Sequence, residues 1–76
     1  MRAFVLVRIR VGEIVAVLRQ LRTVAGVVEG RATFGPYDAI AVLEAGDSAQ
    51  LGRMIAMEIQ TIPGVTETLT CLDMGL

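Results

Sequence analysis

Seventy-six residues make room for one domain, spanning residues 1–76, and at this size a chain buries roughly 60% of its unfolded surface and is marginal alone. A 54% hydrophobic content with a mean hydropathy of +0.64 calls for a partner surface, because two helices cannot cover both sides of a sheet. A net charge of −1, with every cation an Arg, leaves no field to hold a polyanion and excludes direct nucleic-acid binding as a main role.

Ala3 to Val11 alternate as a strand, with Ala3, Val5, Val7, Ile9 and Val11 on one face and Phe4, Leu6, Arg8 and Arg10 on the other. Gly12 ends it. Residues 13–23 then repeat apolar positions at Ile14, Val17, Leu18 and Leu21, which predicts an amphipathic helix with Arg19, Gln20 and Arg22 turned outward. A second strand is expected from Val27 to Phe34. Gly35-Pro36 marks a turn that leads through Tyr37 and Asp38 into a third strand ending at Ala45.

Asp47 followed three residues later by Gln50 has capping-box spacing and predicts the second helix start. Leu51, Ile55, Ile59 and Ile62 form its main apolar face, with Met54 and Met57 on a weaker edge. Pro63-Gly64 stops it, and Val65 to Met74 read as the last strand, with Thr66, Thr68 and Thr70 on one side. Cys71, the lone cysteine, is expected there as a small buried hydrophobe.

The two halves repeat each other at a constant offset. Val5 maps onto Leu43, Val17 onto Ile55, Leu21 onto Ile59, Gly26 onto Gly64 and Glu29 onto Glu67. A duplicated strand-helix-strand unit predicts a βαββαβ, ferredoxin-like α+β sandwich. The first and third strands are apolar in part on both faces and belong in the centre. Right-handed crossovers then give an antiparallel sheet of order 4-1-3-2 with both helices on one face. Phe4, Leu6, Ile40 and Val42 are left on the other face with no cover of their own. Leaving them wet forgoes about 1.5–3 kcal/mol each, so dimerisation through this open face is expected.

No catalytic residue is expected. The chain has no His and no Lys, and Ser48 is its one Ser, so a nucleophile with its base cannot be assembled. One Cys and scattered carboxylates provide no metal site, and no cofactor is implied. The longest apolar runs, Ala3 to Val7 and Ala39 to Leu43, fall far short of the ~18 residues of a spanning helix, and a cytoplasmic location is expected.

Read in order, Thr33 to Ala41, Asp47 to Gly52 and Ile59 to Thr68 resemble the effector-binding domain of Lrp/AsnC transcriptional regulators, the RAM module. Gly35-x-Tyr37-Asp38 and Ile62-Pro63-Gly64-Val65 carry the likeness most specifically. The resemblance implies a dimer through the open sheet face, rings such as octamers built from dimers, and an amino acid bound between subunits near the turn that precedes the third strand. Its ligand-binding positions here are Gly35, Pro36, Tyr37, Asp38, Thr68 and Thr70. In such a site turn amides meet a carboxylate, Asp38 pairs with an α-ammonium and the Tyr37 ring covers an aliphatic part. Phe34 departs from the pattern, which favours a smaller or hydroxyl-bearing residue. With Met1 directly before the first strand, the chain reads as lacking the DNA-binding half, which leaves room for co-assembly with a full-length paralogue. Two rival readings remain: a cofactor-free enzyme of the dimeric α/β-barrel type, and a purely structural oligomerisation module.

Overall fold

Strict alternation in the central strands decides how the layers form. The computed structural model describes residues 1–76 as β1 (Arg2–Ile9), α1 (Ile14–Leu21), β2 (Val27–Ala32), β3 (Ala39–Glu44), α2 (Ser48–Arg53) running on as a π-helical turn (Met54–Ile59), and β4 (Val65–Leu72). The strands form one antiparallel sheet in the order β2-β3-β1-β4, which is 4-1-3-2 read from the other edge. Ala3, Val5, Val7, Ala39, Ala41 and Leu43 are fully buried on one face, against Val17 and Leu21 of the first helix and Leu51, Met54, Ile59 and Ile62 of the second. Alanines at 3, 39 and 41 keep that face shallow, so larger helix side chains sit close to the backbone.

The predicted duplication has a packing counterpart. Gly26 and Gly64 both adopt positive φ, +94° and +100°, and each leaves space for a helix side chain of the opposite half. A Cβ on Gly26 would collide with Met54 Cε, and one on Gly64 would lie 2.9 Å from Val17 Cγ2. Their carbonyls also close the central strands, accepting from Glu44 N and Arg10 N at 2.8 Å each.

Asp47 caps α2 by accepting from Gln50 N at 2.8 Å, while the Gln50 side chain returns to Gly46 N, one residue before the cap. The reciprocal pair is therefore a capping box displaced by one position. Beyond Arg53 the helix widens, with Gln60 N bonded to Ile55 O at 2.8 Å. That turn alters the expected face. Met54 and Ile59 are both buried although five residues apart, a spacing that lines up on a π turn but not on an α-helix, and Ile55 is only partly buried.

Other boundaries also differ from expectation. A bulge between Arg8 and Ile9 breaks the register of β1 with β4, and Glu13 N bonds to Arg10 O, so Val11 lies in a turn and is almost wholly exposed. β2 ends at Ala32 instead of reaching Phe34. Arg22 is not simply outward: its Nε and one terminal nitrogen donate to Gly30 O at 3.1 and 2.9 Å, folding the side chain onto β2.

On the helix-free face Phe4, Leu6, Ile40 and Val42 are half-buried within the subunit, and Leu69 is 48% exposed. Cys71 is exposed there too, across from Phe4, because an edge strand has a neighbour on one side only. The borders of this face carry the ion pairs Arg2–Glu44 (2.6 Å), Arg8–Glu67 (3.4 Å) and Arg31–Glu29 (2.9 Å). The hydrogen bond to Glu44, and then its charge, raise the Arg2 guanidinium pKa above its ordinary value. No helix is long and apolar enough to cross a membrane.

Candidate functional site

The segment from Thr33 to Asp38 is a loop tied shut at its base. Thr33 N donates to Asp38 O and Thr33 Oγ1 to Tyr37 O, both at 2.9 Å. Asp38 then clamps the hairpin to β1, its amide donating to Val7 O at 2.9 Å and its Oδ2 accepting from Ile9 N at 2.7 Å. The side chain thus stands in for a strand partner at the point where the β1–β3 ladder stops, after Val7 and Ala39. At the tip Gly35 has φ of +138° with nothing near a would-be Cβ, so the backbone conformation, and not lack of space, asks for glycine.

Tyr37 is half-buried on the helix-free side, with the Arg8 guanidinium carbon 5.2 Å from its ring centroid, in cation–π range. Beside it Leu6, Ile40, Thr33, Phe34 and Pro36 complete a concavity of about 190 Å³. Of the expected loop positions, Pro36 and Tyr37 line this concavity, Gly35 shapes the tip and Asp38 turns its carboxylate to the Ile9 amide, while Phe34 is fully exposed beside them.

Thr68 and Thr70 do not join this group within the subunit. They pair across strands with Val7 and Val5, whose side chains lie on the helix side, so both threonines face away from Tyr37. Thr68 Oγ1 accepts from Gln60 Nε2 at 2.9 Å, and Thr70 is exposed. In their place the structure supplies Leu6, Ile40 and Arg8. The sequence signal for Arg8 was an Arg following Phe4 and Leu6 on one strand face.

A larger cleft of about 260 Å³ lies among Gly26, Glu44, Gln50, Arg53, Met54 and Glu58. Its polar groups are exposed: Gln50 is bound to Gly46 N and Glu44 to Arg2, and Arg53 and Glu58 stand open to solvent. No three His, Cys, Asp or Glu side chains come together as a metal-binding group.

Residues 2–74 match the family model described as the Lrp/AsnC ligand-binding domain. Among solved structures, TTHA0845 from Thermus thermophilus is 30% identical with a TM-score of 0.91, over 95% of this chain and 90% of that one. FFRP-DM1 is 27% identical with a TM-score of 0.88, over 92% and 93%. The transcriptional regulator NMB0573 from Neisseria meningitidis, solved as an L-Met complex, shares the fold at a TM-score of 0.82 with 18% identity, over 92% of this chain and 47% of that one. No curated protein matches in sequence. With nearly its full length matched by that model, and with the sheet order and loop just described, the chain belongs to the Lrp/AsnC ligand-binding domain family.

Proposed function

We propose that this chain is a non-catalytic sensor of a small molecule, an amino acid, bound at the turn between β2 and β3 where two subunits meet. The observation that carries the reading is the concavity against Tyr37, which opens at the border of an apolar sheet face that the subunit leaves uncovered. Phe4, Leu6, Ile40, Val42 and Leu69 on that face match a second copy of themselves. The bordering ion pairs are neutralised within the subunit, so a twofold partner brings no unpaired charge. Dimers formed this way would place two turns at the rim of each interface, and further assembly into rings would surround the ligand. A full-length member of the same family offers an equivalent sheet face and is the natural second partner.

Sensing works by linkage. A ligand that binds one assembly better than another shifts the population by its differential affinity and by nothing else. Asp38 and Gly35 shape the loop, and the free Oδ1 of Asp38 supplies an acceptor for an ammonium group. NMB0573, solved with L-Met, gives the ligand class a precedent in this fold. The family is one of ligand binding and not of catalysis, and turnover is no part of this reading.

The test is a thermal-shift screen against the twenty amino acids at millimolar concentration. A ligand at a hundred times its Kd adds about 2.7 kcal/mol, an increase on the order of 10 °C for a domain of this size. No shift with any amino acid would remove the sensing function and leave a structural oligomerisation module.

A further inference from the structure

The concavity beside the turn is chemically lopsided. Leu6 and Ile40 form its floor, and Phe34, Pro36 and Tyr37 its apolar walls. Two hydroxyls border it, the Tyr37 phenol and Thr33 Oγ1, and the latter is already donated to Tyr37 O. At about 190 Å³ it exceeds the ~150 Å³ of an apolar cavity that admits benzene and stays below the ~300–1,000 Å³ of pockets for drug-sized ligands. One branched or aromatic side chain fits. An amide, ammonium or carboxylate at the end of that side chain finds no charged partner in this lining and loses hydration on entering it.

Charge sits at the rim instead. Arg8 stacks on Tyr37, and its ion-pair partner, Glu67 Oε2, is 3.4 Å from Nε, long for a charge-assisted bond and half-exposed. The terminal guanidinium nitrogens of Arg8 have no hydrogen-bond partner in the subunit, which leaves the bidentate edge that recognises a carboxylate free.

Resting on the effector reading above, we propose that this site selects α-amino acids with an apolar side chain between Val and Phe in size. Arg8, and not the turn amides, grips the α-carboxylate. The side chain enters the space between Leu6, Ile40 and Tyr37, and the ammonium group lies on the Asp38 side of the rim.

Isothermal titration calorimetry on the assembled protein separates the parts of this claim. L-Leu, L-Met and L-Phe are expected to bind, with L-Asn, L-Gln, L-Lys and L-Asp at least tenfold weaker. L-leucinol, which lacks the carboxylate, is expected to bind about 10–100-fold more weakly than L-Leu, the range for a lost charged hydrogen bond. Arg8→Gln should weaken L-Leu by a similar factor and leave L-leucinol unchanged, with Arg8→Lys recovering part of the loss. Circular dichroism and sedimentation confirm that the variants keep fold and assembly. Should Arg8→Gln disturb assembly, the comparison of L-Leu with L-leucinol on the unaltered protein decides the same point. Equal or tighter binding of a polar amino acid overturns the apolar selection while the effector site stands. L-leucinol binding as tightly as L-Leu overturns the role of Arg8. Silence from every amino acid overturns this proposal together with the reading it rests on.

Discussion

Asp38→Ala is the sharpest probe of how the turn is held. In the native subunit Asp38 Oδ2 accepts from the Ile9 amide at 2.7 Å, and Ile9 is buried at the bulge where β1 loses register with β4. Removing the carboxylate leaves that N–H facing a position where β3 offers nothing, which costs about 1–3 kcal/mol. Against the ~5–15 kcal/mol of a small domain this is a large share, and each kcal/mol lowers Tm by about 4–8 °C at this size. Asp38→Asn keeps an oxygen acceptor at the same place and should lose less than about 1 kcal/mol, the difference between a charged and a neutral bond. Urea unfolding of the three proteins at one fixed protein concentration measures both, since assembly couples stability to concentration. An Ala variant within about 0.5 kcal/mol of wild type, or an Asn variant as damaged as the Ala one, would refute the clamp.

Two glycines should respond in opposite directions. Gly26→Ala forces a side chain at φ +94° against Met54 Cε and Glu44 O and should destabilise by about 1–3 kcal/mol. Gly52→Ala, inside α2 with nothing within 4 Å of the new Cβ, should stabilise by about 0.4–1 kcal/mol, as thermal denaturation will read. Leu21→Ala empties a fully buried position between α1 and the sheet and should cost about 2–5 kcal/mol by the same measurement. Val42→Arg places a charge in the middle of the helix-free face, directly across from Glu29, which can pair with it in a single subunit. Sedimentation velocity should therefore find folded monomers of this variant, with association expected of the wild type.

Much of the architecture could be read from residue spacing. The match of Gly26 to Gly64 at a fixed offset pointed to a repeated unit, and in the folded chain both glycines take positive φ and each accommodates the other half's helix. Alternation in β1 and β3 separated the sealed face from the open one because both strands are central and carry few polar residues. Alternation alone could not say which face Thr68 and Thr70 occupy, since polar side chains lie on both sides of an edge strand and period two groups residues without naming the side. The place of Met54 was hidden for a different reason. A helix pattern assumes a constant turn, and the wider π turn moves Met54 into the core and Ile55 toward its edge. Arg8 escaped notice as a site residue because its partner Tyr37 lies far along the chain and meets it only after the strands pair.

The claim on which the rest depends is that the apolar, helix-free face is covered by another subunit. Native mass spectrometry of the wild-type chain at low micromolar concentration tests it most directly. Dimers of the 8.1 kDa subunit or larger even-numbered assemblies are expected, and a well-folded population consisting solely of monomers would overturn it.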